Sequence, residues 1–99
     1  MSTTYQFRHW RIREDMVDAL ERYVRDGVPL GDFLSSVVAN NLCEACGRAD
    51  EDNLRNMPAF AAWIYNECPR DAWGSIAIYN AWIEKHQRAR QGKMEPQND

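Results

Sequence analysis

The chain has 99 residues, 44% of them apolar and 11% aromatic, enough for one compact domain around a single core. That length excludes fold plans that need far longer chains, such as a paired Rossmann domain, a TIM barrel or a kinase. Fifteen acids against twelve bases give a net charge of -3 and a pI near 5.3, which argues against non-specific nucleic-acid binding and the basic face it requires.

Residues 3–10 alternate, with Tyr5, Phe7 and His9 on one side and Gln6, Arg8 and Trp10 on the other. The pattern predicts a short extended arm or strand, which in a helical chain would pair across a dimer or lie over the surface. A first helix reaching back to Phe7 is the alternative. Ile12, Met16, Ala19, Leu20, Tyr23 and Val24 recur at helical spacing and predict helix one, stopped by Gly27. After a tight connection containing Pro29 and Gly31, Leu34, Val37, Val38, Leu42 and Ala45 form the apolar stripe of helix two, ended at Gly47. Asp50 is the N-cap expected for helix three, whose buried face is Met57, Phe60, Ala61, Ile64 and Cys68. Pro58 predicts a kink or a late start within it, and Pro69 closes it. Ser75 caps helix four over residues 76–88, with Tyr79, Trp82, Ile83 and His86 on one side. The expectation is therefore an all-α, four-helix domain over residues 1–90, with an N-terminal arm and a flexible polar tail at 91–99.

Compartment and chemistry follow from the same residues. The first fifteen residues hold Arg8, Arg11 and Arg13 and no apolar run of a secretory signal. The longest run without a polar side chain, 59–65, is far short of the ~20 residues that cross a bilayer. Three cysteines, an odd number, then predict a reducing cytoplasm and no membrane association. Cys43 and Cys46 have C-x-x-C spacing, and Cys68 with His9 or His86 would complete a tetrahedral zinc set. Their amphipathic helical setting and the absence of a second C-x-x-C favour small apolar side chains instead, so no metal or cofactor is expected. With no G-x-S-x-G elbow and no H-E-x-x-H pair, no catalytic residue is assigned and the chain is not expected to be an enzyme.

Binding residues are easier to nominate. Two junctions, Gly31 with Asp32 and Gly74 with Ser75, place backbone N–H groups at a helix start, where a nucleotide or other anion can bind. Arg48, Arg70 and Trp73 lie on loops able to converge there, although plain capping explains the same Gly and Ser. The ten Arg and two Lys suit specific anion or protein contacts, and GC-rich coding would produce the same bias. Arg8, His9, Trp10 and Arg11 interleave base and ring, but acids at 14, 15 and 18 follow, which favours a protein contact over nucleic acid. Trp63 falls off the main apolar face of its helix, as an interface residue would. The expected binding set is Arg8, Trp10, Arg48, Trp63, Arg70, Trp73, Gly74 and Ser75.

The order GVPLGDFLSSVVANNL, GRADEDN, WIYNECPRDAWGS and a final AWI resembles a group of small accessory proteins of phages, prophages and related mobile elements. A G-I/V-P-x-G-x-F-L motif, a polar helix end near Asn40 and Asn41, an R-A-D turn and a W-G-S helix start mark that group. They fall here on Gly27, Pro29, Gly31, Phe33, Leu34, Asn41, Arg48, Asp50, Trp73, Gly74 and Ser75, within residues 12–84. Asp32 stands where the group's loop has glycine, and Pro58 interrupts the third helix. The resemblance implies an accessory protein of a mobile element and supplies no reaction. Small size, acidity and surplus aromatics then suit a non-enzymatic role in the bacterial host's cytoplasm, acting by binding as an anti-CRISPR-like counter-defence inhibitor of a host defence protein. An oligomeric sponge for a nucleotide signal is the first alternative. A small transcriptional regulator is the second, opposed by Asp50, Glu51 and Asp52 at the start of helix three, which make direct DNA binding unfavourable. Homo-oligomerisation is expected, because a small domain gains from covering an apolar face and the arm needs a partner.

Overall fold

The alternating segment near the N-terminus pairs with its own continuation. In the structure, a computed structural model that describes residues 4–94, β1 (Tyr5–Phe7) and β2 (Trp10–Ile12) form an antiparallel hairpin. Tyr5 lies opposite Ile12, Gln6 opposite Arg11 and Phe7 opposite Trp10. Arg8, at φ 57°, opens the two-residue turn, and positive φ at that position matches a short turn to the strands' twist. Both expectations for this segment are thereby corrected: the strand's partner is intramolecular, and helix one does not reach Phe7. The argument that the arm requires a second copy falls with them.

α1 (Glu14–Asp26) ends at Gly27 as expected and buries Leu20 and Tyr23 of the expected stripe together with Val17, while Met16, Ala19 and Val24 are half-buried and Ile12 belongs to β2. Gly27 takes φ 69° and donates its N–H to the Tyr23 carbonyl at 2.9 Å, the left-handed close that glycine adopts without strain.

The expected second helix is two helices. α2 (Asp32–Val38) stops at Ala39, and α3 (Leu42–Arg48) starts afresh. Asn40 has φ 62° and donates to the Val37 carbonyl at 3.0 Å, while Asn41 donates to the Ser36 carbonyl at 2.9 Å. These paired bonds close α2 as a glycine would, because asparagine tolerates the left-handed region. The Asn41 side chain then accepts from the Glu44 N–H at 3.2 Å and caps α3. One residue closes a helix and the next opens another.

The third expected helix also divides. Asp50 caps α4 (Glu51–Arg55), accepting from the Asn53 N–H at 2.8 Å as predicted. The chain breaks at Asn56, and α5 (Met57–Glu67) restarts with Pro58 in its first turn. Proline is favourable there because a first-turn N–H has no intrahelical acceptor to lose. A 3-10 turn at Arg70–Ala72 leads to Ser75, whose hydroxyl accepts from the Ile78 N–H at 3.1 Å and starts α6 (Ile76–Met94). α6 extends beyond residue 88, so 91–94 of the expected tail are helical, and 95–99 lie outside the described residues.

The fold is thus mostly helical, with six α-helices among the described residues in place of four and a small two-stranded sheet in addition. No helix among them is long and apolar enough to cross a membrane. Tyr23, Phe60, Ile12, Leu20 and Val38 are the largest fully buried side chains. The hairpin packs on α5, and the Arg11 N–H donates to Asn56 Oδ1 at 2.9 Å, fixing the hairpin to the α4–α5 break. Arg13 meets Asp15 at 2.8 Å, Asp50 at 3.2 Å and Asp52 at 3.4 Å, joining the start of α1 to the start of α4.

Asp50 gives this junction an acid dependence. The Asn53 N–H foremost, then the Arg13 guanidinium, hold its carboxyl below the usual carboxylate range. A depressed folded-state pKa supplies stability above the unfolded value of about 4, lost as pH falls through the folded one. Asp50→Asn retains an N-cap acceptor but cannot titrate. Its acid unfolding profile should therefore be flatter below about pH 4 than the parent's, as read by circular dichroism.

Candidate binding groove

The break at Asn40 turns α3 across the end of α2 and leaves a groove between these helices and α5. Its lining includes Val37, Leu42, Ala45, Met57, Phe60, Ala61, Ile64 and Trp73, with Ser36, Asn40 and Asn41 as an uncharged polar edge. Phe60 is buried and meets Phe33 edge-on at 5.0 Å between ring centroids, so the floor is rigid core. Leu42 from α3 and Tyr65 from α5 also line the groove, yet are 68% and 81% exposed. The volume is about 240 Å³, below the ~300–1,000 Å³ usual for small-molecule sites and suited to one or two large side chains. Tyr65 and Trp73 form a ridge, beyond which they line a second hollow with Cys68 and Arg70.

The structure distributes the expected binding residues over several places. Arg70 and Trp73 do come together. Arg48 does not join them: its guanidinium bonds Glu44 at 3.0 Å and Asp32 at 3.2 Å. Arg8 sits at the hairpin tip, 5.2 Å from the Phe7 ring centroid, with His9 exposed beside it. Trp10 is half-buried between Phe7 at 6.2 Å and His9 at 4.0 Å, ring to ring. Trp63 is corrected as an exposed interface residue: it is 5% exposed and part of the core, beside Glu21, Val24 and Arg25 of α1.

The Gly74 junction is occupied by capping. The Gly74 N–H donates to the Val38 carbonyl at 2.9 Å, and Ser75 accepts from Ile78 and Tyr79. The Gly74 and Ile78 N–H groups are thereby spent on the chain itself. At the other junction the Asp32 carboxylate itself occupies the first turn of α2.

The thiols are dispersed in environment. Cys43 is exposed, Cys46 half-buried and Cys68 buried, and the described residues contain no group of three or more His, Cys, Asp or Glu able to hold a metal ion. Burial pushes the Cys68 thiol up to about 12. Against an ordinary value near 8.5, its thiolate fraction at pH 8 falls on the order of a thousandfold. In a timed reaction with a chromogenic disulfide, Cys43 should therefore react first and Cys68 only after denaturant is added.

Leu42 and Tyr65 were missed by sequence reasoning because a continuous second helix assigns Leu42 to the buried stripe. The double asparagine was the available signal. The chain matches no protein-family model, no curated relative and no solved structure.

Proposed function

We propose that the chain is a non-catalytic binding protein whose groove receives part of another protein. Its class is that of a mobile-element accessory protein acting by stoichiometric inhibition of a host defence protein. The observation that carries the binding reading is the exposure of Leu42 and Tyr65, the two most exposed large apolar side chains among the described residues, on one apolar groove. Covering such a side chain is worth ~1.5–3 kcal/mol. A partner that buries both gains from a floor already held in place by Phe60 and Ile64. The accessory role is supported by the resemblance of residues 12–84 to that group, and the inhibitory one by the chain's small size, acidity and surplus of aromatics. A nucleotide sponge has less support, since the Gly74 N–H and Ser75 hydroxyl are already bonded within the chain. DNA regulation has less again, because α4 is five residues long and opens on Glu51 and Asp52.

Native mass spectrometry of the chain isolated from cells of a bacterial host tests the proposal. The expected spectrum contains a stoichiometric complex with a host protein, absent for Leu42→Glu, and no retained nucleotide. A nucleotide-sized mass on the free chain, with no protein complex, overturns it in favour of the sponge.

A further inference from the structure

We infer that the groove and the hollow beyond its ridge form one recognition surface, for a partner segment bearing a large apolar side chain followed within a few residues by an aspartate or glutamate. This rests on the protein-binding reading above and specifies its ligand. Tyr65 and Trp73 belong to both hollows, so an occupant of the apolar floor is led directly to Arg70. Arg70 is the one charged side chain among the residues lining the two hollows. Arg13, Arg25, Arg48 and Arg88 each meet a carboxylate within 4 Å, whereas Arg70 is exposed and has no ion pair among the described residues. Its neighbour Asp71 is not part of the lining, and burial keeps the Cys68 thiol neutral. The surface therefore presents an uncharged apolar floor and a single unmatched positive charge at one end, and its complement is an apolar anchor with a carboxylate beside it.

The carboxylate is a side chain and not a chain terminus. Terminal carboxylates are captured in nests of backbone N–H groups. Here the nearby N–H groups of Ala72 and Gly74 already donate to the Pro69 and Val38 carbonyls, both at 2.9 Å.

A random-peptide library displayed on filamentous particles, selected on the immobilised full-length chain, supplies the probe. The strongest consensus peptide is then synthesised and titrated calorimetrically. The expected consensus pairs Leu, Phe, Met or Trp with a nearby Asp or Glu. Arg70→Gln, at an exposed site, should weaken that peptide about tenfold, and replacing the peptide's acid by its amide should cost the same. The two changes together should cost little more than either alone. Leu42→Glu should abolish binding. A consensus without an acid, or losses that simply add, overturns the inference while Leu42-dependent binding keeps the groove as a protein site. Failure to select any Leu42-dependent peptide removes both. A dimer in light scattering that Leu42→Glu dissociates assigns the groove to a second copy and likewise overturns the inference.

Discussion

Gly27→Ala should destabilise the protein by about 3 kcal/mol, lowering its melting temperature by roughly 15 °C. Two independent costs meet at this residue. Its φ of 69° belongs to the left-handed region, where a Cβ costs roughly 1–2 kcal/mol. The added methyl would also fall on the Cβ of His86 and within 2.7 Å of its Cγ. That contact is with the root of the side chain, which rotation cannot clear, so relief requires α6 to move away from the end of α1. Overpacking of this kind typically costs 1–3 kcal/mol. Displacement of α6 would disturb more than one residue. The Trp82 Nε1–H donates to the Tyr23 carbonyl at 2.9 Å, and the Tyr79 hydroxyl accepts from the Leu30 N–H at 2.8 Å. A Gly31→Ala control should be nearly neutral, since nothing lies within 4 Å of a Cβ there. Thermal melts of the two variants side by side decide the matter: equal, small losses would show that α1 and α6 are not locked at Gly27.

The same glycine was legible before any coordinates, and so were the outer punctuation marks of the chain. Gly27, Asp50 and Ser75 end or begin helices because each has one local task that its chemistry performs: a left-handed close, or a side-chain acceptor for an orphan N–H. The interior breaks were harder. Apolar spacing from Leu34 through Ala45 satisfies one long helix and two short ones alike, because seven-residue helices leave too few turns for their phase to register. What decides between them is a pair of asparagines whose backbone conformations are not visible in a periodicity count. Pro58 predicts a kink or a late start, and the late start is what occurs, with Pro58 in the first turn of α5 after the short α4. The hairpin was half legible: alternation gave its extended character, but a turn of Arg8 and His9 carries none of the glycine or asparagine that marks a tight turn.

The groove was less legible than the fold for a related reason. Sequence reasoning looked for charge and ring at loops and so nominated Arg70 and Trp73, which do meet. It also nominated Arg48, whose attraction for anions is quenched by Glu44, one turn back on α3, and by Asp32 at the start of α2. Trp63 looked peripheral on a helical wheel because the wheel has no knowledge of α1, whose Glu21, Val24 and Arg25 lie beside it. Leu42 was the reverse case: placed in the buried stripe by periodicity, it is 68% exposed where the second helix breaks, while Tyr65 lies off the buried face expected for its own helix.

Tyr23→Ala should be the other severe lesion, costing about 3–5 kcal/mol, with Tyr23→Phe costing about 1–3 kcal/mol. Tyr23 is fully buried, its ring stacked 5.3 Å from Tyr79 and tilted against Trp82 at 6.5 Å. Truncation would open a cavity where α1 and α6 meet. The phenylalanine variant isolates the hydroxyl, which donates to the Ala72 carbonyl at 2.7 Å across 49 residues of sequence. Burial drives that hydroxyl well above its ordinary ionisation range, with Cys68 and Tyr79 adding to the effect. Because the folded-state pKa is raised, this contribution is intact below about pH 10 and disappears as pH climbs beyond it, so Tyr23→Phe should unfold less steeply in alkali than the parent. Urea melts at neutral pH and a titration of tyrosinate absorbance read the two effects separately. The hydroxyl also reaches the proposed site, since Ala72 ends the 3-10 turn that carries Arg70 and precedes Trp73. Loosening that turn should weaken a groove-bound peptide even at temperatures where Tyr23→Phe remains folded. If affinity is unchanged while stability falls, Arg70 and Trp73 are positioned by the Gly74 to Val38 bond alone and not by the core beneath them.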